Sequence, residues 1–425
     1  AAGPLKELQS KRLKNLVKYL SENSPFYTQK FAAQGVDAAS VTSIDDIVRL
    51  PFTTKEDMRD TYPYGLFSMK PEDICEIHVS SGTTGNPTLV GYSKKDLLLW
   101  AEVVARSLGC ADIRRDDIIQ IAYGYGLFTG GFGTHYGALK LGATILPMSA
   151  GQTKRQIMLM DSLKPRALAC TPSYALYMSE EAASMGKKPS DITWEVGIFG
   201  AEPWSENMRR EVEKRLGIKA FDIYGLSEII GPGVAMECEY QNGLHIWSDV
   251  FYPEIIDPET DMPVKNPGEP GELVITTLTK EGIPLIRYRT RDIVTITHET
   301  CACGRTAPRI SKIQGRVDDM IVVRGINLFP TQVEHVLLNA GKGISPNYQI
   351  IVDRGSNFQD TLEVVIELEE NMFSDSVVEI EALECKIIKE MSAVLSITPK
   401  IHLVPPKTIE RSEGKAKRIV DKRKL

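Results

Sequence analysis

Two groups of residues in this chain have types and spacing that could do chemistry. The first is Ser80–Thr88, which reads Ser-Ser-Gly-Thr-Thr-Gly-Asn-Pro-Thr, with hydroxyls and glycines and no aliphatic side chain. Gly82 and Gly85 allow positive φ, so successive N–H groups can converge on an anion. Ser80, Ser81, Thr83 and Thr84 add hydroxyl donors for phosphate oxygens. The plainer reading is a hydrophilic hairpin loop between two runs of strand formers at 75–79 and 89–92. The second group is Cys238 and His245 together with Cys301-Ala-Cys303 and Gly304. Three thiols and an imidazole make the closed tetrahedral set of structural zinc, with no open position for catalysis. Here the plainer reading is buried thiols acting as small apolar groups, and His298 competes as a ligand.

The remaining chain has to position these groups. A length of 425 residues allows more than one domain, and 42% hydrophobic with 25% charged residues is the composition of a soluble globular protein. A formal net charge of −6 argues against nucleic acid as the main partner. The chain shows no apolar run of membrane-spanning length and no secretory pattern at its start, so no membrane partner and a cytoplasmic location are expected. Seven thinly spread cysteines are not a disulfide framework, and Cys75, Cys110, Cys170 and Cys385 are expected in cores.

Leu8, Leu13, Leu16, Val17 and Leu20 predict an amphipathic helix stopped at Ser24-Pro25. Residues 35–75 carry Pro51, Pro63 and Pro71 and predict no clear element. Ser93 and Asp96 form a capping box ahead of a helix over 97–108. Strands expected at 118–122, 143–146, 167–170, 196–199 and 220–224 then alternate with helices at 137–141, 156–163, 174–183 and 205–216. Such alternation indicates an α/β fold with a largely parallel sheet, whose ligands bind at the strand C-terminal ends. The polar segments 123–133, 200–204 and 224–233 follow strands and are natural walls of one site. Short β runs at 250–256, 272–278 and 292–296 predict a small β subdomain. From 317 onward, strands at 319–323, 348–352, 362–368 and 401–404 with helices at 330–338 and 376–395 predict a compact α+β unit. The basic stretch 409–425 reads by charge alone as a solvated tail. The expected domains are 1–317 and 318–425.

Six segments in order resemble the acyl-adenylate-forming superfamily of acyl-CoA synthetases, luciferases and adenylation domains. They are the 80–88 loop, Gly200-Ala-Glu-Pro203, Tyr224-Gly-Leu-Ser-Glu228, Tyr288-Arg-Thr-Arg-Asp292, Gly315-Arg-Val-Asp-Asp319 and Gly414-Lys415. Within it the chain most resembles phenylacetate-CoA ligases, through Ala122–Gly131, His245-Ile-Trp247, Tyr252–Glu259 and Arg287–Asp292. The resemblance implies a large α/β domain with a β subdomain and a small mobile α+β domain. It also implies ligation of an aryl acid to CoA through an acyl adenylate, with ATP, Mg²⁺ and CoA consumed or bound, and a homodimer.

Residue by residue, the resemblance puts Ser80 to Gly85 on the β- and γ-phosphates. Tyr224 lies on the adenine face, and Ala201, Glu202 and Pro203 lie along its edge. Asp222, Gly225 and Ser227 also belong to the nucleotide site, with Asp292 on the ribose hydroxyls and Arg316 on ribose or phosphate. Glu228 takes Mg²⁺ or the α-phosphate region, and Lys415 stabilises charge on the α-phosphate, with Lys417 and Arg418 as chemical competitors. Asp318 is the hinge for rotation of the small domain, and Gly325 lines the path of the CoA thiol. Tyr123, Phe128, Ala201, Ile223 and Pro232 form the aryl pocket. Thr88 stands where many superfamily members have a lysine, so the phosphate loop lacks that charge. Two alternatives stay open: another acid, or nucleotidyl transfer without CoA; and a non-catalytic nucleotide-binding zinc protein.

Overall fold

The computed structural model describes residues 2–80, 86–266, 268–317, 321–323, 326–328, 330–341, 343–354, 360–373, 377–395, 397–412 and 418–423. They form two compact units. The first holds Ala1–Cys170, Ser190–Ala201 and Gly217–Lys312, and the second Thr171–Pro189, Glu202–Leu216 and Ile313–Leu425.

The first unit begins with α1 (Ala2–Asn23) and α2 (Pro25–Ala33). Ser24 caps α2 and Pro25 occupies its first turn, so the same dipeptide ends one helix and starts the next. Leu13, Leu16, Val17 and Leu20 of α1 are buried against Tyr27, Phe31, Ile44, Ile47 and Leu50, while Leu8 is exposed. Thr54 caps the short α3 (Lys55–Asp60) with a capping box to Asp57. A hairpin of β1 (Glu76–Ser80) and β2 (Thr88–Tyr92) follows, pairing Ser80 with Thr88. Next comes α4 (Lys94–Cys110), whose capping box of Ser93 and Asp96 is present as expected.

The main sheet then builds from β3 (Ile118–Ile121), β4 (Thr144–Pro147), β5 (Ala167–Cys170), β6 (Val196–Gly200) and β7 (Lys219–Leu226), all parallel in the order β7-β6-β5-β3-β4. Helices α5 (Thr129–Leu141) and α6 (Thr153–Leu163) intervene. Helix α5 starts well before the expected residue 137. Its first turns carry Gly130, Gly131 and Gly133, poor helix formers that hide the pattern. The glycines answer to packing instead. A Cβ on Gly133 would lie 2.6 Å from Trp100, and one on Gly137 would lie 2.3 Å from Val104, both on α4.

Antiparallel strands β8 (Gly231–Glu237) and β9 (Leu244–Ile246) extend the same sheet on the β7 side. The expected β subdomain is a sheet of its own. It comprises β10 (Phe251–Ile256), β11 (Gly271–Thr277) and β12 (Tyr288–Val294), which pair antiparallel. The chain then returns to the main sheet through β13 (Ile296–Thr297) and β14 (Arg309–Ile310), the latter pairing with β9.

In the second unit, Ile344–Arg354 pairs antiparallel with Asp360–Leu368, which runs parallel to Lys400–Val404. Helices Pro330–Asn339 and Val377–Leu395 contribute Val333, Val336, Leu383, Ile387 and Met391 to its core. Ile419–Asp421 joins this sheet as a parallel edge strand, so part of the basic stretch is built into the fold rather than solvated throughout. Two cysteines also differ from expectation. Cys75 and Cys385 are exposed, whereas Cys110 and Cys170 are buried.

Candidate active site

Parallel strands β3, β6 and β7 deliver their C-terminal ends to one edge of the sheet, where Tyr123, Ala201, Tyr224 and Glu228 lie at or just after those ends. At the end of β7, Tyr224 is 8% exposed and its hydroxyl donates to Asp292 Oδ2 at 2.7 Å, with Asp292 on β12 and 2% exposed. Two residues expected to serve separate parts of a nucleotide are thus one hydrogen-bonded pair. The preceding Arg291 has φ 66, a conformation unusual for a side-chain-bearing residue and often found at functional sites. The same holds for Ala201, φ 70, which is exposed directly after β6.

Glu228 lies in the turn after β7 and is 5% exposed. Lys55 Nζ of α3 stands 3.6 Å from its Oε1, and Lys280 Nζ donates to its main-chain oxygen at 3.2 Å. Burial lowers the Lys280 ammonium to about 8, with Asp96 and Glu228 pulling the other way. Ser227 pairs with Thr129 at 3.0 Å, and its carbonyl accepts from Tyr92 at 3.4 Å. Gly225 is explained by backbone proximity: a Cβ there would lie 1.9 Å from the Gly231 oxygen on β8. Asp222 is on β7, where its N–H donates to Glu237.

The residues expected to line an aryl pocket divide. Tyr123 is buried, its hydroxyl bonded to the Ile198 oxygen at 3.2 Å, and Ile223 is buried, whereas Phe128 is 54% exposed. Pro232 is partly buried on β8, and its oxygen accepts from Trp100. The expected phosphate-binding residues Ser81, Gly82, Thr83, Thr84 and Gly85 lie outside the described residues; Ser80 ends β1 and pairs with Thr88 of β2. Thr88 is 1% exposed, and its Oγ1 has no hydrogen-bond partner among the described residues. Strand β1 is tied to the 123–131 segment, since Val79 N–H and His78 Nδ1 both meet the Leu127 oxygen. His78 Nε2 meets Glu76, which also accepts from Tyr136.

In the second unit, Glu202 accepts from the Ser173 N–H at 2.7 Å, Pro203 is exposed, and Arg316 lies in the short strand Gly315–Arg316. Lys415, Asp318 and Gly325 lie outside the described residues.

The cysteine–histidine group is brought together. The ligand atoms of Cys238, His245, Cys301 and Cys303 all lie within 4.8 Å of one another. Cys238 Sγ and Cys301 Sγ are 3.7 Å apart, too far for a disulfide, and Cys303 Sγ is 3.5 Å from His245 Nε2. Antiparallel pairing of β8 with β9 supplies Cys238 and His245, and a turn closed by the Gly304 N–H to the Cys301 oxygen supplies the other two. Exposed His298 is not in the group. The donor set fits zinc in ligand type and number.

Lys55, Lys280, Tyr92 and Thr129 were not anticipated. Lys55 lies in the featureless 35–75 stretch, and Lys280 in a Lys-Glu-Gly turn between two strands, where charge by itself reads as solvated.

The AMP-binding enzyme family matches residues 12–279, and its AMP-binding enzyme C-terminal domain matches 325–423. The chain belongs to the AMP-binding enzyme family. Among curated members, it is 48% identical to a phenylacetate-coenzyme A ligase of Thermus thermophilus, covering 99% of this chain and 97% of that one. A phenylacetate-coenzyme A ligase of Escherichia coli is 46% identical, covering 99% and 95%. A crystal structure of 2-hydroxyisobutyryl-CoA ligase in complex with 2-HIB-AMP superposes with TM-score 0.91 at 28% identity, covering 98% of this chain and 89% of that one. The large α/β domain and small C-terminal domain are thus those of this enzyme family.

Proposed function

We propose that the chain is an AMP-forming aryl-acid:CoA ligase that makes phenylacetyl-CoA from phenylacetate, ATP and CoA. A carboxylate oxygen of the acid attacks the α-phosphorus and pyrophosphate leaves, giving the acyl adenylate. The CoA thiol then attacks the acyl carbon, AMP departs, and the thiol proton passes to solvent. Near-full-length identity of 48% to a curated ligase of this reaction carries the reading. The two alternatives, an adenylating ligase for another aryl acid or a nucleotidyl transfer without CoA, and a non-catalytic nucleotide-binding zinc protein, have no such support.

The residue roles belong to the proposal. The Tyr224 ring takes the adenine face while its hydroxyl orients Asp292, and that carboxylate accepts from the ribose hydroxyls. Backbone N–H groups and hydroxyls of 80–85 hold the β- and γ-phosphates; buried Thr88 presents no charge to them. Lys55 adds a cation beside Glu228. Magnesium when bound neutralises phosphate charge, and Glu228 with phosphate oxygens supplies the hard ligands it prefers. Tyr123 and Ile223 floor the aryl pocket, and exposed Phe128 is available to the substrate ring. Lys415, on a C-terminal domain beginning at 318 and hinged at Asp318, stabilises charge on the α-phosphate. Gly325 leaves room for the thiol. Zinc on Cys238, His245, Cys301 and Cys303 is a structural cross-link.

Among the described residues no helix is long and apolar enough to cross a membrane; a cytoplasmic homodimer is part of the proposal, with sedimentation as the test of its size. The activity test is incubation with ATP, magnesium, CoA and a panel of aryl acids. Formation of AMP and phenylacetyl-CoA in equal amounts is expected. Absence of both removes the reading, and AMP release without thioester favours another acceptor.

A further inference from the structure

We propose that Lys280 is a positioning residue for Glu228, its buried ammonium fixing the turn that carries this carboxylate and so the grip on magnesium–ATP. The inference rests on the reading of Glu228 given above.

The loop between β11 and β12 is pinned before Lys280 acts. The Asp96 carboxylate, itself 0% exposed, accepts from the N–H groups of Glu281 and Gly282, each at 2.8 Å, and from that of Ser93 at 3.0 Å. Gly282 seats the loop closely, since a Cβ there would lie 2.7 Å from the Gly91 oxygen and 2.9 Å from Asp96. Held this way, Lys280 points inward and is 2% exposed. Its ammonium lies 3.2 Å from the Glu228 oxygen and 5.0 Å from the centroid of the Tyr92 ring. Tyr92 in turn donates to the Ser227 oxygen, and Thr129 pairs with the Ser227 hydroxyl. Consecutive carbonyls of the Ser227-Glu228 turn are thus held from β2 and from the β11–β12 loop, leaving the Glu228 carboxylate to face Lys55.

A lysine is a costly way to fill a core, because removing an ammonium from water is penalised by several kcal/mol and a methionine of similar length would pack there without that cost. Retention of the charge is therefore a mark of function at this position. Residues that orient a metal-binding side chain typically affect metal affinity or activity by about 10- to 100-fold when removed.

Lys280→Met and Lys280→Arg are compared with wild type and with Glu228→Gln. Four readouts are taken: melting temperature, equilibrium ATP binding with and without magnesium, ATP–pyrophosphate exchange with phenylacetate, and thioester formation from supplied phenylacetyl-adenylate and CoA. Lys280→Met is expected to melt no lower than wild type and to lose about 10- to 100-fold of the magnesium-dependent gain in ATP affinity, with exchange falling in parallel. Binding without magnesium and thioester formation from the supplied adenylate stay unchanged, and Lys280→Arg recovers part of the loss. If Lys280→Met keeps the magnesium-dependent gain while Glu228→Gln loses it, the inference about Lys280 is overturned and the Glu228 reading survives. Retention of the gain in Glu228→Gln overturns the Glu228 reading itself. A Lys280→Met protein that is unstable, or that loses both half-reactions equally, assigns Lys280 to packing and also overturns the inference.

Discussion

Removal of one thiol from the cysteine–histidine group separates a metal centre from four side chains that happen to meet. Cys238 and Cys301 are 63 positions apart and their sulfurs are 3.7 Å apart. If zinc joins them, it closes a loop of that length in the folded chain. Treated as a cross-link, the loop-closure entropy amounts to about 14 cal/mol/K, or about 4 kcal/mol at 25 °C. For a unit this large each kcal/mol moves the melting temperature by about 2 °C, so Cys238→Ala should melt about 8 °C below wild type. A buried apolar side chain outside the group provides the scale for packing: Ile157→Val, at 0% exposure, should cost only about 1 kcal/mol for the methylene removed. Thermal scans of wild type and both variants, with and without a strong zinc chelator, are compared with the metal content of each purified protein. Chelator is expected to bring wild type down to Cys238→Ala and to leave that variant where it is. Equal melting of the two variants, no chelator effect and no stoichiometric zinc in wild type would refute the metal reading and return the four residues to ordinary core packing.

Three further outcomes test other contacts. Tyr224→Phe keeps the ring but removes the hydrogen bond to Asp292, and the ATP dissociation constant should rise about tenfold, or about 1.4 kcal/mol, in calorimetric titration. Glu76→Ala should lower stability by about 1–2 kcal/mol at neutral pH. Burial raises the Glu76 carboxyl, but hydrogen bonds from His78 and Tyr136 outweigh it and hold the group below its usual range. A depressed folded value stabilises above the unfolded pKa of about 4.3 and is lost as pH falls through the folded one, so urea titrations should show the two proteins converging in acid. In the second unit, Arg411 donates to Glu367 at 2.9 Å, and Glu367 is 1% exposed. Arg411→Ala leaves that carboxylate without this partner and should destabilise by about 3 kcal/mol in urea unfolding, whereas Arg411→Ala with Glu367→Leu should recover most of the loss.

The strands of the parallel sheet were legible because each is a short apolar run closed by a turn, and their bounds fall within a residue or two of expectation for β3, β5 and β6. Helix α5 was not, because its glycines serve contacts with Trp100 and Val104 that only the folded chain brings near. β9 and β14 were not among the expected strands, because the pairing of β9 with β8 and of β14 with β9 is not written in local sequence. Within the site, the motif residues Tyr224, Glu228 and Asp292 could be found from their order, and the four metal-ligand candidates from residue type. The Tyr224–Asp292 bond could not, since the partners are 68 positions apart. Nor could the cations at Glu228, since Lys55 and Lys280 reach it from elements far away in the sequence on either side.

Asp96 shows why local rules were correct and still insufficient. Ser93 and Asp96 satisfy the pattern of a helix start, and that helix starts there. Yet a capping carboxylate on the protein surface needs only one N–H partner, whereas Asp96 is fully buried and accepts from two residues almost two hundred positions downstream as well. The cap therefore also sets the β11–β12 loop, the loop sets Lys280, and Lys280 meets the Glu228 main chain. Substituting Asp96 would disturb helix and site together. A defect in magnesium–ATP binding from Lys280→Met in a protein with an intact α4 would instead place the functional part of this chain downstream of the cap.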